Sequence, residues 1–207
     1  MPKQSYALET GGEKRLDISW KGMFKNVDVV LDGQSIGVIP DQKTLMQGQE
    51  FPLEDGSILK VQLKRNVTAS ELQVTRNGQP LPGSSSDPNT RHKNAYIIVY
   101  FIAGLNLVLG LLAGVFNVAF VQSLGIGFAS IILGLIYLVL GFFVQKKSSL
   151  ALILAILLFI TDSLLGLVLT VSQGGNPGFA GILVRILFLI PLFQGMPAIK
   201  ALKAKTA

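Results

Sequence analysis

The hydrophobic positions of this chain change their period near residue 95. Before that point they alternate with polar ones. Leu16, Ile18 and Trp20 share one face of Leu16-Asp17-Ile18-Ser19-Trp20-Lys21. Leu59-Lys60-Val61-Gln62-Leu63-Lys64 and Leu72-Gln73-Val74-Thr75 repeat the alternation. Period two predicts strands with one dry and one wet face. Asp32-Gly33, Asp55-Gly56 and Asn77-Gly78 punctuate these runs. Such pairs supply the positive φ that tight hairpins require. Residues 1–82 are therefore expected to form a soluble all-β domain, a small antiparallel sandwich or roll of six or seven short strands, with Trp20 at the centre of its core. A core of that size gives modest stability.

After residue 95 the apolar positions become continuous. Four segments, about 95–115, 125–144, 150–171 and 179–199, each approach the ~20 residues that span a bilayer. The connections between them are short, so neighbouring segments must run antiparallel. The expected fold class is a membrane α-helical bundle of four transmembrane helices behind the β-domain. Between the two parts, residues 83–94 read as a Pro/Ser-rich linker and a basic juxtamembrane segment. His92, the single histidine, is expected to be a polar residue at the membrane face next to Arg91 and Lys93, outside every helix.

Charge sharpens the division. Residues 1–94 carry 11 of the 12 acidic and 12 of the 18 basic residues; residues 95–207 carry one acid, Asp162, and six bases. The net charge of +6 thus comes mainly from the apolar half. Its bases flank the spans rather than cluster with aromatics on a soluble surface, which argues against nucleic acid. Arg91 and Lys93 precede the first span, Lys146 and Lys147 lie between the second and third, and Lys200, Lys203 and Lys205 follow the fourth. The other two loops are uncharged. Positive loops face the cytoplasm, so an even number of spans puts both termini there. The opening MPKQSYALETGG has no apolar core, so no cleavable signal peptide is expected.

Small residues mark candidate helix contacts. Gly127, Gly134 and Gly141 recur every seven residues, and Gly110 and Gly114 form a small-xxx-small pair. Stripes of this kind let helices approach closely in lipid, within the bundle or at a homo-oligomer seam. Asn106 and Asn117 are candidates for interhelical hydrogen bonds. Gly127–Gly134 also aligns weakly with Gly178–Arg185, and Phe101–Gly104 with Phe159–Asp162, as two related hairpins would. One constellation suggests more than packing. Asp162 near the middle of the third span and Arg185 inside the fourth fall at similar depth if the turn centres near Gln173 and Gly174. A charge there is costly unless paired or wetted. An intramembrane ion pair is therefore expected, either fixing helix register or lining a pathway. Pro191 is expected to kink the fourth span.

Conventional catalytic chemistry is missing from the sequence. There is no cysteine, which removes disulfides, thiolate metal sites and cysteine nucleophiles. One histidine cannot make a metal site alone. No His-Glu-x-x-His, no Gly-x-Ser-x-Gly and no Gly-rich phosphate loop occurs, so no enzyme, metal or cofactor is expected. Asn66-Val67-Thr68 reads as a plain connecting loop. The ending Val184 to Lys203, with an acid in the preceding span, and the linker Asn77-Gly78-Gln79-Pro80-Leu81-Pro82-Gly83-Ser84 resemble small uncharacterised bacterial membrane proteins of a cyanobacterial type. The resemblance implies a bacterial inner membrane and a recurring place for Arg185, and no activity. Two functions remain. The first is a non-enzymatic, membrane-anchored interaction or scaffold module whose cytoplasmic β-domain binds a protein partner. The second is a small oligomeric channel or transporter that uses Asp162 and Arg185.

Overall fold

The computed structural model describes residues 1–65, 70–119, 127–172, 174 and 178–204, apart from the side chains of 178–180. The sequon at 66–68, Gln173 and Lys205 lie outside the described residues. The chain divides into two compact units, Met1–Thr90 and Arg91–Ala207.

The first unit is built of two antiparallel meanders. Strands β1 (Lys3–Ala7), β2 (Lys14–Lys21), β3 (Lys25–Leu31) and β4 (Gln34–Ile39) form one four-stranded sheet in sequence order. Strands β5 (Gln49–Pro52), β6 (Ile58–Arg65), β7 (Ser70–Arg76) and β8 (Gln79–Pro80) form the other. The turn chemistry works as the sequence predicts. Both residues of Asp32-Gly33 and of Asn77-Gly78 take positive φ, the requirement of the hairpin turn whose twist matches its strands. Asp55-Gly56 differs: only the glycine is left-handed. The Asp55 carboxylate instead accepts the Ser57 N–H at 2.9 Å, closing an Asx turn.

Period two decides which side chains are dry. Leu16, Ile18, Val27 and Val29 of the first sheet and Leu59, Val61 and Val74 of the second are fully buried in one cluster. The sheets therefore pack face to face, and each such side chain contributes about 1.5–3 kcal/mol. Trp20 is not the centre. At 9 % exposure it is the most exposed member of the cluster. It ends β2 beside a turn in which Gly22, Phe24 and Asn26 all have positive φ, and it stacks on Phe24 at 4.9 Å.

Two features of this unit were not expected. A short helix, α1 (Gln42–Gln47), joins the sheets. Asp41 caps it by accepting the Thr44 N–H at 2.8 Å, and Gly48 ends it at φ 89°. Leu45 on this helix is fully buried and joins the core. The second surprise is the segment after β8, which is not a free linker. Leu81 is buried in the core cluster, and Ser84 is fully buried. Ser84 Oγ donates to the Leu81 carbonyl at 2.7 Å, and Ser85 Oγ to that of Leu72 at 3.0 Å. Asp87 then accepts the Asn89 N–H at 3.0 Å while Pro88 opens a helix. A carboxylate cap followed by proline at the first helical position is a strong start signal. The first long helix therefore begins seven residues before the apolar run at Ala95 and includes His92.

Four helices among the described residues are long and apolar enough to cross a membrane. They are α2 (Pro88–Gly114), α3 (Phe128–Gln145), α4 (Ser149–Ser172) and α5 (Gly178–Ala204). No more than 28 % of any span's most apolar stretch is buried. Val108, Ile132, Val139, Leu157 and Val168 are each more than half exposed. Faces this apolar suit a lipid environment. Pro191 and Pro197 lie inside α5.

Burial along the helices is uneven. Helix α2 buries residues towards both ends, from His92 to Ala113, and α3 from Gly134 to Val144, in the part nearer the charged loop. In α4 the buried residues are Ala151, Leu152, Ala155, Ile156 and Phe159, all in the half next to the Lys146-Lys147 loop. No residue of 161–172 or of 181–191 is buried. Among the described residues, the burial of α4 and α5 is thus concentrated in the half next to the charged loops.

Two expectations concern the β-domain. Gly37 of β4 faces Phe51 of β5: a Cβ there would sit 2.4 Å from Phe51 Cε1. Gly37→Ala should cost about 1–3 kcal/mol through overpacking, read from urea unfolding followed by fluorescence of Trp20, the single tryptophan. The second expectation concerns acid. The Ser5 hydroxyl and Lys3 hold Asp17 low, Arg15 holds Asp32 low, and Ser57 and Arg76 hold Asp55 low. A lowered folded-state pKa gives stability that is present above the ordinary Asp value, about 4, and lost as pH falls through the lowered ones. The same urea midpoint should be flat from neutral pH to about 5 and fall below about 4.

Candidate functional site

The seam between α2 and α3 is made by glycine. A Cβ on Gly110 would lie 2.7 Å from Ile131 Cγ1, one on Gly134 2.7 Å from Leu107 Cγ, and one on Gly141 2.9 Å from the Tyr100 ring. Gly114 meets Phe128 at 3.2 Å. Gly127 does not belong to this seam. It is the N-cap of α3 in extended conformation, with nothing within 4 Å of a Cβ. Gly195 does close a contact, which the spacing of small residues did not reveal: its Cβ would fall 2.5 Å from that of Ala95. A glycine inside a helix costs about 1 kcal/mol against alanine, which is the signal that a neighbour needs the space.

Polar groups tie down the charged-loop end. His92 is buried, and its Nε2–H donates to the Val144 carbonyl in the last turn of α3 at 2.8 Å. It is thus a clamp between helices rather than an exposed membrane-face residue. Tyr100 donates to Gln145 at 3.0 Å in the same region.

The open end holds a cleft of about 600 Å³. Its polar wall is Asn106 of α2, Ser130 of α3, Asp162 and Thr170 of α4, and Arg185 of α5. Leu105, Leu109, Leu165 and Leu169 supply apolar wall, and Phe159 and Phe188 the side nearest the closed half. The Phe159 and Phe188 rings lie 6.2 Å apart, and Phe101 meets Phe188 edge-on at 5.6 Å.

Asp162 and Arg185 share this cleft but do not form the expected ion pair. No salt bridge joins them, unlike Lys3–Asp17 at 2.9 Å and Lys60–Glu50 at 3.0 Å in the β-domain. Gly166 leaves a bare patch of α4 on which the guanidinium rests, with Arg185 Nη2 3.0 Å from where a Cβ would be. Gly166 is one helical turn beyond Asp162, a shift of about 6 Å along the axis towards the open end.

Asn106 and Thr170 hydrogen-bond within their own helices. Asn106 donates its Nδ2 to Ile102 in its own helix at 2.9 Å, not across helices. Thr170 donates to the Gly166 carbonyl at 2.7 Å. Asn117 lies beyond α2 with a left-handed backbone. Tyr137 was not singled out, yet it is 1 % exposed and its hydroxyl has no hydrogen-bond partner among the described residues. It lies within reach of the Asp162 charge. Its place on the face carrying Gly134 and Gly141 was readable from i, i+3, i+7 spacing.

The β-domain offers a contrast. A groove of about 470 Å³ there is lined by Arg15, Asp32, Glu54 and Asp55. Arg15 is held by both Asp32 oxygens at 2.5 Å, and Arg76 by Asp55 and Glu9. Those arginines are already neutralised by their neighbours, whereas the bundle cleft presents its two charges apart. No group of three or more metal-ligating side chains occurs among the described residues.

No family model, curated protein or solved structure matches the chain. Its function is therefore read from the cleft and the helices around it.

The seam supplies a paired test. Gly134→Val puts atoms where Leu107 now stands and should lower bundle stability by about 1–3 kcal/mol or more. Gly127→Ser meets open space at an N-cap and should leave it within about 0.5 kcal/mol. Thermal unfolding of the detergent-solubilised protein reads both.

Proposed function

We propose that this chain is a non-enzymatic, multi-pass protein of a bacterial inner membrane whose bundle admits a small polar solute, as part of a channel or transporter. The observation that carries the reading is the separation of Asp162 from Arg185 within one cleft. Two opposite charges at membrane depth that do not neutralise each other each need water, a ligand or another copy of the chain. The direction of access follows from packing. Access is from the uncharged-loop face, because the other half of the bundle is filled by Leu152, Ile156, Leu192 and Ile199.

Orientation rests on the loops. Arg91, Lys93, Lys146, Lys147, Lys200 and Lys203 all fall at one end of the four spans. That end is cytoplasmic by the positive-inside rule, and both termini go with it. The resemblance of the Val184–Lys203 segment supports the bacterial inner membrane. Four short helices leave little room for a continuous solute path. Passage across the membrane therefore calls for a homo-oligomer or for opening of the closed half.

A second reading is favoured by the β-domain. It is a self-contained sandwich with its own core and a folded connection to α2. Such a domain suits a membrane-anchored interaction module with a protein partner in the cytoplasm. In that case the bundle is chiefly an anchor.

The native chain has no cysteine, so single introduced thiols report cleanly. In oriented vesicles, Asn106→Cys should react with a membrane-impermeant thiol reagent from the face opposite the lysine loops. Ala155→Cys, in the closed half, should react from neither face. Equal silence at both positions would return the bundle to the role of anchor.

A further inference from the structure

We propose that the cleft takes a compact, net-neutral zwitterion of the α-amino-acid class, with its carboxylate on Arg185 and its ammonium on Asp162. This rests on the reading that the cleft admits a polar solute, and it names the solute's chemistry.

Charge balance comes first. The cleft presents one carboxylate and one guanidinium, so its own charges sum to zero. A ligand with a single charge would match one of them and leave the other unmatched in a poorly screened site, which is costly. A zwitterion satisfies both and keeps the complex neutral at membrane depth. Arginine is suited to the carboxylate, since its planar fork accepts one in bidentate fashion.

Spacing is the second argument. The guanidinium lies against Gly166, about one turn or ~6 Å beyond Asp162 along α4. That offset, with no direct ion pair, leaves a gap of a few ångströms that a short molecule bent between the two charges can bridge with two charge-assisted hydrogen bonds of about 2.8 Å. The molecule between them must therefore be compact, as an ammonium and a carboxylate on one carbon are.

The walls supply the rest. Thr170 Oγ1 spends its proton on the Gly166 carbonyl, so its lone pairs remain as acceptors at the guanidinium end of the cleft, one turn beyond Gly166. Leu105, Leu109 and Phe188 offer apolar contact to a side chain. A cavity of about 600 Å³ holds an amino acid with room for that side chain.

The test is calorimetric titration of the detergent-solubilised full chain with L-leucine, L-alanine and L-serine. Two probes then isolate the charges of leucine: L-leucinamide keeps only the ammonium, and 4-methylpentanoate only the carboxylate. We expect saturable binding of at least one amino acid. Where leucine binds, each single-charge probe should be weaker by more than about tenfold. Asp162→Asn should abolish the preference for leucine over 4-methylpentanoate. Arg185→Gln should abolish its preference over leucinamide. If none of the three amino acids binds, or if a single-charge probe binds the wild type as well as leucine does, the proposal is wrong. The thiol experiment separates the two levels. A reactive Asn106→Cys without amino-acid binding refutes the ligand class and leaves the open cleft standing. An unreactive Asn106→Cys removes the cleft reading itself.

Discussion

An acid and a base held apart inside an apolar bundle set the terms for the rest of this molecule. Ionised groups in so apolar a bundle are tolerated only where water, a counter-charge or a ligand reaches them. Direct pairing was the simplest way to meet that need. The guanidinium instead lies against Gly166, one turn away from Asp162. The bundle must therefore stay open where these two side chains lie, and it is open there.

The opening is possible because the two helical hairpins are held differently. Glycines bring α2 and α3 together along their whole length, from Gly110 and Gly114 to Gly141. Helices α4 and α5 meet them at the charged-loop end through Gly195 on Ala95 and a cluster around Leu152, Ile156, Leu192 and Ile199, and at mid-span through Phe188 on Phe101. His92 fastens the same end with a buried hydrogen bond to α3. Away from this end, α4 and α5 bury nothing among the described residues through 161–172 and 181–191. Close packing on one side and separation on the other produce a wedge. The polar residues line its open half.

Much of this architecture was legible in the sequence. Period two and three Gly-containing turn signals specified an antiparallel sandwich, and apolar run lengths specified four spans. What stayed hidden depended on side chains meeting across elements. Trp20 reads as a core residue and is one, but it lies near the end of β2 beside a left-handed turn rather than at the centre of the cluster. The Pro/Ser segment reads as a linker by composition, but its hydroxyls satisfy backbone carbonyls and Asp87-Pro88 starts a helix. That early start turned His92 from a loop residue into an interhelical clamp. Asp162 and Arg185 were found by their rarity in an apolar stretch. Their separation was not, because it depends on which way a long side chain lies across a neighbouring helix. Tyr137 was passed over because an aromatic residue on a glycine face reads as packing. Only its unpartnered hydroxyl marks it out.

Hydrogen exchange along α4 in lipid nanodiscs tests the wedge most directly. One helix crosses both halves of the bundle, so it carries its own control. The account predicts that amides of residues 150–159 stay protected while those of 162–171 exchange at least about tenfold faster, because the cleft brings water to them. Uniform protection along the whole helix would contradict it: the bundle would then be closed from end to end, with Asp162 and Arg185 sealed inside.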